Sequence, residues 1–334
     1  MLRTQLRVKR ALAERAERGE TLPELMPPLY VLGWMRTGTT HLLGLLAEDP
    51  AHRALPYYES FDPVPPPPGR PDRRAAKVDK MLASVGMLSR HYQSIHAMRG
   101  DDPEECVALF MNALRTYQFD VQYRVPGYVA HLDATDPRPA HAFYEQQLRL
   151  IQHSRPAGER WLFKDPTHLM HLGVLMEQFP AARFVFTHRD PVEAIGSLCS
   201  LYAHTRAMFS DDVDPLAIGP EIMAGYWPSA LEDALALAEA HPERRFAHVH
   251  YAELVRAPLA TVEKLYLDLG LDLGDEVHDR MRAYVEAHPQ AKTRVHRYSL
   301  EQFGLREEAV RERFADYVAR YGVEVSPAVS RATG

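Results

Sequence analysis

Short apolar runs rich in β-branched and aromatic residues punctuate this chain, and longer stretches with helical spacing separate them. That alternation predicts an α/β fold, a parallel β-sheet flanked by helices. Strands are expected at Leu29–Gly33, Trp161–Phe163, Phe184–Thr187 and Phe246–His250. Helices are expected at Thr39–Glu48, His168–Gln178, Val192–Ala207 and Ala257–Leu269, with a terminal helix at Glu307–Tyr321. Between the first two strands lies a helical insert, residues 71–158, whose helices are Arg73–Ser89, Pro103–Thr116 and Pro139–Ser154. Polar or proline start signals open each of them. In an α/β protein such an insert caps the crevice at the carboxyl ends of the strands, here the expected active site. Residues 1–20 read as an amphipathic surface helix, because Arg3, Arg7, Lys9, Arg10, Glu14, Arg15 and Glu17 interrupt any apolar core a leader would need. The run Pro63–Pro71 reads as a stiff connector into the insert. Residues 1–334 are expected to form one domain.

Charge and composition narrow the partners. Across 334 residues, 39 Lys and Arg face 45 Asp and Glu, a formal charge of −6. A mildly acidic chain is a poor non-specific binder of nucleic acid, which is held by neutralising its phosphates. Two cysteines, Cys106 and Cys199, build neither a disulfide framework nor a four-thiolate zinc site. No apolar run approaches the ~18 residues of a membrane span, so a soluble, cytoplasmic protein is expected. His168 with His171, and His248 with His250, lack a third ligand nearby, so no metal site is expected.

The most informative stretch is Leu29–Leu46, LYVLGWMRTGTTHLLGLL. An apolar strand runs into Gly33, a turn follows through Gly38, and a helix starts at Thr39. This arrangement aims backbone N–H groups and a helix N-terminus at an anion. The Gly-x-x-x-x-Gly spacing matches the first part of a Walker A loop, but Thr39 stands where that loop has its lysine. The basic residue is Arg36, inside the turn. A second stretch, Arg183–Leu201, repeats the pattern: a buried strand, then Arg189-Asp190-Pro191, then a helix with Ser197 eight residues after Arg189. A guanidinium and a hydroxyl facing one crevice suit a second phosphate.

In these two stretches the chain resembles the sulfotransferases that use 3′-phosphoadenosine 5′-phosphosulfate as co-substrate. Their strand-loop-helix signature, R/K-[ST]-G-[ST]-T, is matched by Arg36, Thr37, Gly38, Thr39 and Thr40, and implies a grip on the 5′-phosphosulfate. Their second signature, a strand ending in Arg with Ser eight positions on, is matched by Arg189 and Ser197 and implies a grip on the 3′-phosphate. Arginine in the first loop looks like the bacterial and Golgi-type branch. The basic stretch Lys292–Leu300 is similar to the segment that closes over the 3′-phosphate in bacterial relatives, with Arg294 and His296 as the candidate contacts.

Sulfo transfer to an alcohol needs a base for the hydroxyl, cations for the charge on sulfur's oxygens, and neutralisation of the leaving phosphate, and needs no metal. The resemblance implies that Glu59, shortly after the first helix, is the general base. His168, four residues after Lys164, is the alternative. Lys164 closes an apolar strand where nothing in the core is expected to pair it. The K-D-P triplet resembles the tyrosylprotein enzymes, which implies that Lys164 neutralises the leaving oxygen together with Arg36. The acceptor is expected to be a hydroxylated small molecule, lipid or sugar, with Tyr92, Tyr117, Tyr123, Tyr202 and Trp227 as pocket candidates.

Two rivals remain. A P-loop kinase gains from Asp190 at a strand end, which can pass for a magnesium-holding acid, but lacks the lysine. A non-catalytic nucleotide-binding module would leave Glu59 and Lys164 without a task.

Overall fold

A computed structural model of the chain describes residues 1–67, 69–88, 99–288 and 299–326. Its five-stranded parallel sheet comprises β1 (Pro28–Leu32), β2 (His52–Ala54), β3 (Arg160–Lys164), β4 (Arg183–His188) and β5 (Arg245–His250). The strand order is β2-β3-β1-β4-β5. β1 is buried at every position, and β3 and β4 at all but their first. Strands covered on both faces read as continuous apolar runs, which is why these three are visible in the sequence.

The chain divides into two compact units. The first holds residues 1–31, 43–120 and 125–183. Its ladder sets Val31 opposite Lys164 and Leu29 opposite Leu162, so Lys164 stands level with the end of β1. The short β2 pairs with β3 through His52 and Arg160. No apolar run betrays β2, because its Arg53 is itself buried, with the guanidinium 4.0 Å above the Trp161 ring. The helix Arg138–Ser154 buries Tyr144, Leu148 and Ile151, the spacing of one helical face.

The second unit holds residues 32–42, 121–124 and 184–334. Proline at the first turn starts its helices Pro191–Ala207 and Pro258–Leu269. Gly270 ends the latter in the left-handed conformation, at φ 62°. Phe184 and Phe246 stack with centroids 5.3 Å apart, and Trp227, Tyr202 and Tyr266 are also buried in this unit.

Three expected helices differ in extent. Pro103–Thr116 shrinks to Val107–Asn112, because the Glu104 and Cys106 N–H groups donate to Leu55 and Lys164 carbonyls instead of to a helix. His168–Gln178 begins only at Leu172, since Pro166–His171 forms a 3₁₀ turn that Asp165 caps through the Thr167 N–H. The terminal helix breaks at Phe314, which is buried. The N-terminal helix spans Leu2–Glu17, with Val8 buried and Arg7 paired to Asp62 at 2.7 Å.

Candidate functional site

The turn after β1 is shaped by residues that tolerate unusual backbone. Gly33 has φ +147°, and a Cβ there would lie 2.1 Å from Thr187 Oγ1. Gly38 has φ +91°, and a Cβ would press within 2.8 Å of the Tyr251 ring. Between them Arg36, a non-glycine residue, takes φ 70°. Such strain persists where the surroundings hold it, and it gathers at functional turns. The exposed Arg36 side chain donates from Nε to Ser197 Oγ at 3.1 Å, while its carbonyl accepts from Arg189 Nη1 at 2.6 Å. Arg36, Arg189 and Ser197 are thus brought together.

The threonines of the turn divide. Thr37 is buried, and its hydroxyl donates to the Trp34 carbonyl at 2.7 Å and lies 2.6 Å from Thr187 Oγ1. Its hydroxyl is therefore turned into the protein, correcting the expectation that it faces an anion. Thr39 is buried at the helix start, whereas Thr40 is exposed.

Arg189 lies 4.1 Å above the Tyr251 ring and donates from Nε and Nη2 to Glu193 Oε2 at 2.9 and 2.8 Å. Burial pushes the Glu193 carboxyl up, but the Ser326 hydroxyl and Arg189 outweigh it and hold the group below its ordinary value. Beneath Arg189, His188 is held by Tyr317 at 3.0 Å and His248 at 2.9 Å. Burial, with His248 and His250 nearby, lowers His188 to about 3. Asp190 caps its helix by accepting from the Val192 N–H at 2.9 Å, and its other oxygen accepts from the Ser326 N–H at 2.8 Å. Both oxygens are spent on backbone, the opposite of an acid waiting for magnesium.

In the first unit, Lys164 is buried and donates to Glu105 Oε1 at 2.6 Å. The expectation that nothing in the core pairs it is wrong. The acidic run Asp101-Asp102-Pro103-Glu104-Glu105 was the available signal, and its extended backbone delivers Glu105 to the strand end. Burial lowers the Lys164 pKa, but the Glu105 and Glu104 carboxylates outweigh it and raise it overall. Asp165 is buried with Oδ2 unpartnered. Burial, with Glu105 close by, raises it to about 7.

Glu59 is fully buried and accepts from Arg53 Nη2 at 3.0 Å and from the Tyr58 hydroxyl at 3.3 Å, with Arg155 at 3.9 Å. His168 is buried against Tyr30, Phe110 and Tyr144. Burial, with His141 and His171 near it, holds its imidazole well below its ordinary range. Arg294, His296 and Tyr92 lie outside the described residues. Tyr202 and Trp227 are core rather than pocket: each is 1% exposed, and Trp227 Nε1 donates to the Tyr202 hydroxyl at 2.8 Å. Tyr123 is exposed beside Phe209. Among the described residues no group of His, Cys, Asp or Glu is placed to hold a metal ion.

A profile described as the sulfotransferase family matches residues 27–275. The chain belongs to the sulfotransferase family. The match takes in both arginine turns, Glu59 and Lys164. The chain is 25% identical over 307 residues to omega-hydroxy-beta-dihydromenaquinone-9 sulfotransferase Stf3 of Mycobacterium bovis and of Mycobacterium tuberculosis, covering 89% of this chain and 76% of each relative. Among solved structures, sulfotransferase STF9 from Mycobacterium avium superposes with a TM-score of 0.83 at 26% identity, over 96% of this chain and 83% of that one. Sulfotransferase STF1 from Mycobacterium tuberculosis H37Rv does so with 0.73 at 31%, over 93% and 81%. The protein is therefore an enzyme of the sulfotransferase type. No described helix of this sulfotransferase is long and apolar enough to cross a membrane.

Proposed function

We propose that this sulfotransferase moves the sulfo group of 3′-phosphoadenosine 5′-phosphosulfate to the hydroxyl of an uncharged, apolar alcohol, without a metal. One observation supports the donor: Arg189 Nη1 donates to the Arg36 carbonyl while Arg36 Nε donates to Ser197, so two arginines 153 residues apart meet beside a hydroxyl, an arrangement that suits an anion. Arg36, Gly38, Thr39 and Thr40 are the proposed donors to the 5′-phosphosulfate, with Thr37 contributing only its backbone. Arg189 and Ser197 are the proposed 3′-phosphate contacts, and the resemblance adds Arg294 and His296. Tyr251, under the Arg189 guanidinium, completes that site.

In the proposed step the acceptor oxygen bonds sulfur as the sulfur–oxygen bond to the 5′-phosphate breaks. The hydroxyl proton passes to Glu59, and Lys164 with Arg36 neutralises the leaving phosphate, the roles the resemblance gives them. Of the two base candidates the carboxylate is preferred. A buried imidazole far below its ordinary range is too weak a base near neutrality, which leaves His168 a hydrogen-bonding role. Replacing Glu59 by Gln is expected to cut kcat by about 100-fold or more, with donor affinity within a few fold. A kcat within a few fold of wild type removes Glu59 from the mechanism. The acceptor class draws on the Stf3 name, which describes a hydroxyl on an apolar lipid. The spent oxygens of Asp190 leave the kinase reading without its acid.

Differential scanning fluorimetry tests the donor. Adenosine 3′,5′-bisphosphate is expected to raise Tm without magnesium, to an extent set by concentration over Kd. A response to Mg-ATP alone overturns the reading. Incubating a pool of hydroxylated lipids with labelled donor, then reading product mass, tests the transfer. Nucleotide binding with no sulfated product would favour a binding module.

A further inference from the structure

A buried ammonium stripped of water gives up its proton unless an anion meets it. Lys164, at the end of β3, is 3% exposed, and Glu105 Oε1 accepts from its Nζ at 2.6 Å. Burial alone pushes this group towards a neutral amine, and the Glu105 and Glu104 carboxylates reverse that tendency. The other titratable neighbours are Asp165 and the Cys106 thiol. Burial raises both, Asp165 to about 7, which disfavours their charged forms.

The backbone holds Glu105 in place. Residues 100–106 run antiparallel to residues 55–58, with a bridge between Pro56 and Pro103. The Tyr57 and Tyr58 N–H groups, which open the short helix Tyr57–Phe61 that carries Glu59, donate to the Asp102 and Gly100 carbonyls at 3.0 and 2.9 Å. The Glu104 N–H donates to the Leu55 carbonyl at 2.9 Å, and the Cys106 N–H to the Lys164 carbonyl at 3.1 Å. Glu105 therefore sits between two backbone anchors, the second of them on Lys164 itself. An exposed ion pair must first order two long side chains, whereas here one partner is buried and the other comes from a fixed segment. The same segment ties the helix of Glu59 to the strand end of Lys164.

We propose that Glu105 is a positioning residue for sulfo transfer: it holds Lys164 as an ammonium and fixes its Nζ at the strand end for the leaving phosphate. The inference rests on the reading above that Lys164 neutralises that phosphate. Glu105 takes no proton in this role and acts only through the lysine.

Two variants and two readouts test it. Glu105→Gln keeps the shape and an oxygen for the Nζ hydrogen bond but loses the charge, and Glu105→Asp keeps the charge. NMR of the full chain with isotope-labelled lysine follows the Lys164 titration, with the resonance assigned by its loss in Lys164→Arg. Wild-type Lys164 is expected to stay protonated up to about pH 10, and its deprotonation below that overturns the proposal whether or not any variant folds. In Glu105→Gln the midpoint is expected to fall by at least about one pH unit, the effect of removing one close opposite charge. The alkaline fall of kcat should set in earlier by a similar interval, with the donor KM within a few fold, and Glu105→Asp should restore the profile. A midpoint that does not move in Glu105→Gln, or a kcat loss equal at every pH, overturns the role, because a merely structural defect has no reason to follow the lysine's proton. Lys164→Ala separates the two readings. If it leaves kcat unchanged, the leaving-phosphate reading fails and takes this inference with it. If it abolishes kcat while Glu105→Gln keeps the wild-type pH profile, only the inference about Glu105 fails.

Discussion

Arg36 holds a left-handed backbone conformation, φ 70°, that a residue with a Cβ adopts at a cost of about 1–3 kcal/mol. The proposed donor site calls on its guanidinium, and the fold tolerates its backbone. The two are separable. Arg36→Gly relieves the strain and is expected to leave Tm at or above wild type, whereas Arg36→Ala keeps the strain, loses the Ser197 hydrogen bond and lowers Tm. Both should lose affinity for adenosine 3′,5′-bisphosphate. Fluorimetry with and without nucleotide checks the pair, and a glycine variant less stable than the alanine one would contradict the strain argument.

Asp165 carries a second residue-scale consequence. Burial, with Glu105 nearby, raises its carboxyl from 3.8 to about 7. The folded state therefore binds this proton more tightly than the unfolded one. Stability from it is full below about 3.9 and is lost as pH rises towards 7. Asp165→Asn removes the titration and keeps an oxygen for the Thr167 N–H cap. The Tm of the variant minus that of wild type is expected to climb between pH 4 and 7. A flat difference would show that Asp165 is not held protonated.

At the scale of elements, the helix Pro191–Ala207 shows how much was legible. Its apolar strand, proline start and Asp190 cap are local signals, and all lie where β4 hands over to the helix. From the sequence only Arg189 and Ser197 were set facing one crevice; the convergence of Arg36 on Ser197 was not legible, because it joins the helix to a turn distant along the chain. β2 was hidden for a different reason: His52 and Arg53 are buried by pairing and stacking rather than by being apolar. Likewise Glu105 reaches Lys164 through an extended segment that helical spacing disguised. Long-range ion pairs leave no periodic trace, so a charge pattern alone cannot say which carboxylate meets which lysine. The cap itself is testable. Asp190→Asn retains an acceptor for the Val192 N–H, and Asp190→Ala does not. Alanine is expected to cost about 0.5–2 kcal/mol in urea unfolding and asparagine clearly less. Equal losses would mean that charge, not capping, explains the residue.

For the molecule as a whole, burial of histidine sets the response to acid. His41, His52, His141, His168, His171, His188 and His248 are all held below their ordinary range, with burial the leading cause in every one. A histidine lowered in the folded state contributes stability that is present above about 6.5 and lost as pH falls, because the unfolded chain takes up the proton first. Asp165 and Glu104, both raised by burial, work in the opposite sense over part of the same range. The histidines outnumber them, and His141 and His188, each lowered to about 3, stay neutral across the whole interval. Tm is therefore expected to fall between pH 7.5 and 5, well before ordinary carboxylates titrate. His141→Phe removes one of these protonations, and in that variant the fall should be smaller. A wild-type Tm that holds or rises over that interval would mean that water or a relaxed packing already reaches these rings.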